Sequence, residues 1–318
     1  MDFALSDAQR AWQDTARKLA HTWPMATLAV AVAESAHAAG IFAPDLDAAS
    51  AVALIEAAGI EHPVGAVTLA LQVATSVSLA GAVPLRPGTG RAVALSSEVK
   101  PTLDGDRLNG NATWVGPMAT ETALIVGATQ GDETIACAVA PAAAGIAETQ
   151  IRAAGLHGFT SSHLAFSHTP CVPLGSPRPI MARVRVLLAA AGIGMGRRAA
   201  REALKAAMAY GRTGAGGEQT VQGLLADTAT ELEAARMLTW QAATHGADLS
   251  LAAASTAKLA ATTAAQAAVM RATQVVGVDS FRQGHVIERL TQDVRAIELF
   301  AGRTEALREA VADEELRQ

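Results

Sequence analysis

The sequence predicts an α+β fold laid out in three parts: a helical domain over residues 1–88, a small β domain over 89–174 and a four-helix bundle over 175–318. Three observations predict it. Apolar residues make up 50% and charged residues 17%, but aromatics reach only 3%, so Ala, Leu and Val supply a core suited to closely packed helices. The helical periodicity of the first part gives way near Arg86 to short β-prone runs separated by turns. It returns after Gly175-Ser176-Pro177-Arg178-Pro179 and runs to the end.

The elements follow in order. Ser6-Asp7-Ala8-Gln9 has the spacing of a capping box, which starts a helix. Apolar residues recur at helical spacing through Ala51–Ala58 and Gly65–Leu79, punctuated by Gly59, His62-Pro63 and Gly81. Arg86-Pro87-Gly88-Thr89-Gly90 is a turn-rich joint. Strands are expected at Ala92–Leu95, Thr122–Val126, Thr134–Val139 and Ser162–Phe166, with hairpin connections at Asp104-Gly105 and Gln130-Gly131-Asp132. Four helical stretches close the chain, over Ile180–Gly211, Glu218–His245, Ser250–Val276 and His285–Leu316, with stops at Gly214–Gly217, Gly246 and Gly277.

Several function classes are excluded on this basis. A net charge of −5 with no cluster of five or more basic residues lacks the electrostatic footprint of nucleic-acid binding. An acid at Asp2 and the lack of about 18 uninterrupted apolar residues lead to the expectation of a cytoplasmic protein with no membrane partner. Cys137 and Cys171 are expected to be buried free thiols, and His157, His163 and His168 have no metal-ligand spacing. Gly192-Ile193-Gly194-Met195-Gly196 follows an Ala-rich helical run and no strand, which favours close helix packing over a dinucleotide loop. Gly214-Ala215-Gly216-Gly217 reads as an interhelical loop and Ser161-Ser162 lacks the glycines of a nucleophile elbow. Glu231, Glu233 and Arg236 read as a solvated or interfacial ion pair. Trp114 follows a turn, where an aromatic is usually core, although its plane can also cover a flat cofactor.

Five segments in order resemble the acyl-CoA dehydrogenase family. Met1–Arg10 is similar to its opening helix, and Gly105–Trp114 followed by Ala123–Val126 to its flavin-flanking segment, L-N-G-x-K-x-W-I-T-N. Gly155-Leu156-His157-Gly158-Phe159 through Phe166 resembles G-x-R-G-S-x-x-x-x-x-x-F. Leu225–Arg236 resembles a bundle helix of the family, and Val286–Arg295 its P-V-E-R-L-x-R-D-A-R run. The resemblance implies FAD and oxidation of an acyl-CoA between Cα and Cβ, with a carboxylate taking the α proton and an electron-transfer flavoprotein or similar acceptor. Such a C–H is a weak acid, so the base and a polarising pocket are chemically required.

The departures lie at those requirements. Where the family has its base in Y-E-G-T, this chain has Phe300-Ala301-Gly302-Arg303, and the alternative base position is Val184. No catalytic residue is therefore assigned. The glycine-rich flavin loop is missing around Leu95–Lys100, Gly116 and Pro117 follow Trp114, and the flavin-diphosphate text is degenerate around Tyr210–Gly214. Glu298, one turn from Ala301, reads as a surface or interface residue. The family's Q-x-x-G-G, which reaches a neighbouring subunit's flavin, is matched by Gln274 and Gly277, and Gly277 also reads as a plain helix stop. Trp114, Gln274 and Gly277 are thus the candidate cofactor residues, with no metal ligand. The resemblance is greatest to the short β subunit of α2β2 enzymes of steroid catabolism, implying a longer catalytic partner that holds the FAD. The alternative is a free-standing acyl-CoA-binding or scaffold protein without redox activity.

Overall fold

The first helix, α1 (Asp7–Ala20), begins at the predicted capping box: Gln9 N–H donates to Ser6 Oγ at 3.2 Å and Ser6 N–H donates to Gln9 Oε1 at 2.9 Å. The structure is a computed structural model that describes residues 4–23, 28–42, 46–86, 89–95, 98–118, 122–209 and 219–317. Helices α2 (Leu28–Ala38), α3 (Ala48–Glu61) and α4 (Pro63–Ala80) complete the N-terminal part. Of these, α2 is absent from the sequence reading. Asp47 caps α3 and His62 caps α4 through Nδ1, which accepts from Gly65 N–H at 3.0 Å.

Among the described residues eight strands form one sheet: β1 (Gly90–Ala94), β2 (Thr102–Asp104), β3 (Arg107–Val115), β4 (Thr122–Gln130), β5 (Glu133–Val139), β6 (Ile146–Ile151), β7 (Ser161–Pro170) and β8 (Val172–Gly175). Their order is β6-β7-β3-β2-β4-β5-β8, with β1 parallel to β4. Both predicted hairpins form, pairing Asp104 with Arg107 and Gln130 with Glu133. Strand β4 is buried on both faces. Ala123 and Ile125 join the helical core while Leu124 and Val126 join a core inside the β domain, the period-two pattern of a strand between two layers. Cys137 and Cys171, free and buried, meet in that second core.

The bundle contains α5 (Arg178–Ala209), α6 (Gln219–Thr244), α7 (Leu251–Val276), α8 (Val286–Leu299) and α9 (Thr304–Glu315). The fourth predicted stretch is two helices, because Ala301 (φ 58°) and Gly302 (φ 108°) leave the right-handed region. Helices α4 and α5 are long and apolar enough to span a membrane by composition, yet their most apolar windows are 72% and 89% buried inside the protein. The glycines of 192–196 serve close packing: a Cβ at Gly194 would meet Gly59 Cα on α3 at 2.7 Å, and one at Gly196 would meet Leu232 on α6. The expected pair within α6 forms, with Arg236 Nη1 donating to Glu233 Oε1 at 3.3 Å, and the same groups also pair across helix interfaces. Arg236 is buried and crosses to Glu56 on α3, Glu233 pairs with Arg197 on α5, and Glu231 pairs with Arg271 on α7. Contacts between helices cannot be read from spacing along one helix. The stretches Pro87-Gly88, Ser96-Ser97, Tyr210–Gly214 and Gly214–Gly217 lie outside the described residues.

Candidate functional site

Three of the segments that carry the resemblance meet at one seam between the β domain and the bundle. Strand β3 ends in a bulge after Ala112, and Trp114 there has φ 57° and is 51% exposed, so it is not a core residue. Gly116 follows and lies against the Phe159 ring and Thr160 O. The loop bearing Phe159 is pinned to α8: buried Asp293 accepts the Leu156 N–H, and a Cβ at Gly155 would meet Gln292 O at 2.5 Å. Burial lifts the Asp293 carboxyl to about 6, opposed by that backbone hydrogen bond and by His157. Phe159 then meets Phe300 edge-to-face, with centroids 5.3 Å apart and planes at 87°.

Phe300 leads into the turn between α8 and α9, where the base position lies. Ala301 is buried and carries no ionisable group, and Val184 is 1% exposed inside α5. Two cations hold the turn instead. Lys258 of α7 is fully buried and its Nζ donates to Glu298 O at 3.0 Å and to Gly302 O at 2.8 Å. Arg185 of α5 donates from Nε to Ala301 O at 3.0 Å and from Nη1 to Ser255 Oγ at 2.6 Å. Cations suit the carbonyl end of α8. Burial draws Lys258 down to about 7, helped by Arg185 and opposed by Glu298, while burial and Arg178 draw Arg185 down to about 10.

Glu298, expected at the surface or an interface, sits between helices with 14% of its side chain accessible. Its carboxylate accepts from Gln266 Nε2 at 2.8 Å, Thr304 Oγ1 at 2.6 Å and Arg295 at 2.6 Å. Burial pushes its pKa up, but the Thr304 and Gln266 hydrogen bonds with Arg295 outweigh it and leave the group below its ordinary value. It braces the turn from outside. Among the described residues neither position 301 nor position 184 carries a carboxylate, Asp293 in the seam is engaged by the Leu156 N–H, and the Ala301 carbonyl is bound by the Arg185 guanidinium.

Gln274 and Gly277 stand apart, at the end of α7. Gln274 is exposed, and Gly277 has φ 77° with open space where a Cβ would be. The neighbouring Val278 and Phe281 are 86% and 73% exposed. Among the described residues no hydrogen bond or ring contact joins this end to Trp114. Sequence reading missed Lys258 and Arg185 altogether. A signal existed for Lys258, a lone charge in Ala254-Ser255-Thr256-Ala257-Lys258-Leu259-Ala260-Ala261, where small residues surround it on every side of the helix.

Residues 179–316 match the family described as acyl-CoA dehydrogenase, C-terminal domain. Over its whole length the chain superposes on butyryl-CoA dehydrogenase from Megasphaera elsdenii, covering all of both chains with a TM-score of 0.81 at 18% identity. The chain has the acyl-CoA dehydrogenase fold. It also superposes on PigA bound to FAD and proline, over all of both chains, with a TM-score of 0.83 at 17% identity. A curated relative, 3-sulfinopropanoyl-CoA desulfinase from Paraburkholderia xenovorans LB400, is 37% identical over 95 residues, which is 30% of this chain. That alignment spans 24% of the relative's length.

Set against this acyl-CoA dehydrogenase fold, the described residues at this seam do not fit a complete flavin site. The Phe159 ring lies against Gly116 and Phe300, and the base position is apolar.

Proposed function

We propose that this chain is a noncatalytic or half-site subunit of a heteromeric, flavin-dependent acyl-CoA dehydrogenase. A longer dehydrogenase-like partner supplies the carboxylate base and holds most of the FAD, and the complex passes electrons to an electron-transfer flavoprotein or similar acceptor. The observation that carries this reading is Ala301, buried in a turn whose carbonyls are taken by Arg185 and Lys258. Loss of a positioned general base removes about 10²–10⁴-fold in rate, so an isolated chain of this kind is not a competent dehydrogenase. The bound FAD would supply hydride acceptance at the complex. This chain's own part is to offer Gln274 and the bare backbone at Gly277 to it. A bulky, steroid-derived acyl-CoA is the substrate class the resemblance supports.

The reading is tested by purifying the chain alone and with its partner. The chain alone should show no acyl-CoA dehydrogenase turnover, and Ala301→Glu should not restore any, because a new carboxylate there meets Arg185 and Lys258 and no flavin. Robust turnover by a verified single-chain preparation overturns the proposal. In the complex, Gln274→Ala with Gly277→Leu should lower flavin occupancy while gel filtration shows assembly intact. Unchanged flavin stoichiometry would leave this end of α7 a structural role.

A second reading, a free-standing acyl-CoA-binding or scaffold protein of this fold without redox activity, draws on one observation: the curated relative is named for an acyl-CoA reaction other than dehydrogenation. Flavin absorbance separates the two, since colour in the co-purified complex supports the first and its absence from both samples supports the second.

A further inference from the structure

We propose that Phe159 is an internal plug: its ring fills the slot left by the missing side chain of Gly116 and shuts a flat aromatic ligand, of the size of a flavin ring, out of this chain's own seam. This rests on the reading of a chain that does not hold its own flavin, and it supplies a physical cause for that. A Cβ at Gly116 would lie 2.5 Å from Phe159 Cε1 and 2.9 Å from Cζ, closer than carbon atoms approach. The ring therefore depends on glycine at 116. The resemblance places serine at position 159 and threonine at 116. Here the volumes are exchanged, with an aromatic at one and nothing at the other.

The plug is held from every side. Phe159 is 6% exposed and meets Phe300 edge-to-face at the base position. Its own N–H donates to Leu156 O at 2.8 Å, Leu156 N–H goes to Asp293, and Met118 N–H donates to Thr160 O at 3.2 Å. The loop is thus tied to α8 on one side and to the segment after Trp114 on the other, so it has little freedom to swing the ring away. Trp114, exposed in a left-handed conformation one strand end away, is the flat face such a ligand would meet. An apolar cavity opened by removing a buried ring stays dry and accepts a guest of about benzene size, so the vacated slot takes one edge of a larger flat ring.

The test uses the isolated full chain and lumiflavin, the bare ring system, so that no partner residue and no phosphate contact contributes. Phe159→Ala should bind lumiflavin at least about tenfold more tightly than the unmodified chain by fluorescence quenching, and Trp114→Ala in that background should lose the gain. Equal binding by a folded Phe159→Ala chain, or tight binding by the unmodified chain, overturns the plug. Should Phe159→Ala not fold, Phe159→Leu carries a second measurement. Gly116→Ala should lower Tm by several degrees with Phe159 present and by clearly less in the Phe159→Leu background, whereas equal losses overturn the slot. Partner sharing is read only in the co-expressed complex, so either proposal can fail without the other.

Discussion

As pH rises from about 7 towards 10.5, the folded chain is expected to gain stability through Lys258, and Lys258→Met should remove most of that gain. Lys258 is held at about 7 in the folded protein against 10.5 for the free side chain, first by burial and then by Arg185, with Glu298 opposing. Between those values the unfolded chain binds the extra proton, so stability rises with pH through the window; below about 7 both states are protonated and the full cost of a buried charge is present. At about 1.4 kcal/mol per unit, the upper bound on the gain is of order 4–5 kcal/mol. Deprotonation does not release the turn, because a neutral amine keeps two N–H groups and has two carbonyls to fill, Glu298 O and Gly302 O. Arg185 of α5, Ser255 of α7 and the Glu298 carboxylate of α8 are polar groups of the surrounding elements that share this turn. Urea denaturation of the two proteins across this range provides the check. Parallel stability profiles would show that Lys258 titrates with the solvent-exposed lysines and that burial has no hold on it.

Local signals were the ones readable in the sequence. The Ser6/Gln9 box, the Gly105 and Gly131 turns and the glycine stop at 277 each need only neighbouring residues, and each forms as expected. The small-residue reading of 192–196 also needed only the helical run before it. What was missed needed partners distant in the chain. Arg236 on α6 meets Glu56, 180 residues earlier, and the pattern within α6 alone cannot show that. The last helix broke at Ala301, because a non-glycine residue at positive φ has no composition signature, and the cations that stabilise the break come from α5 and α7. Ala301, Gly116 and Trp114 could be named from the sequence as departures or candidates, but the exposure of Trp114 could not, since an aromatic after a turn is usually core. The filling of the site was not legible either, since only packing shows Phe159 in the slot that Gly116 leaves.

The largest loss of stability from a single substitution is expected at Glu56. It lies 1% exposed on α3, where Arg236 Nε approaches its two oxygens at 3.1 and 3.0 Å, Trp240 Nε1 donates at 3.3 Å, and Arg197 adds a second guanidinium. One carboxylate therefore ties α3 to both α5 and α6. It has no room to move, because α5 crosses beside it so closely that a Cβ on Gly194 would reach Glu56 O at 2.5 Å. Glu56→Ala leaves the Arg236 charge buried without a carboxylate on α3, and removing one partner of such a pair costs about 3–5 kcal/mol. Both guanidiniums keep Glu233, at 2.9 Å from Arg197 and 3.3 Å from Arg236, but Arg197 is 34% accessible against 11% for Arg236 and also recovers water, so the cost is assigned mainly to Arg236. Glu56→Gln should cost less, keeping an acceptor for the Trp240 N–H. Pairing Glu56→Leu with Arg236→Met removes both buried charges and should regain most of the loss, because well-packed apolar groups replace a buried ion pair at little net cost. Denaturant midpoints of the single and paired variants decide the matter. If the pair is no more stable than Glu56→Ala, the penalty is one of lost packing between α3 and α6, and the stranded charge on Arg236 is not its source.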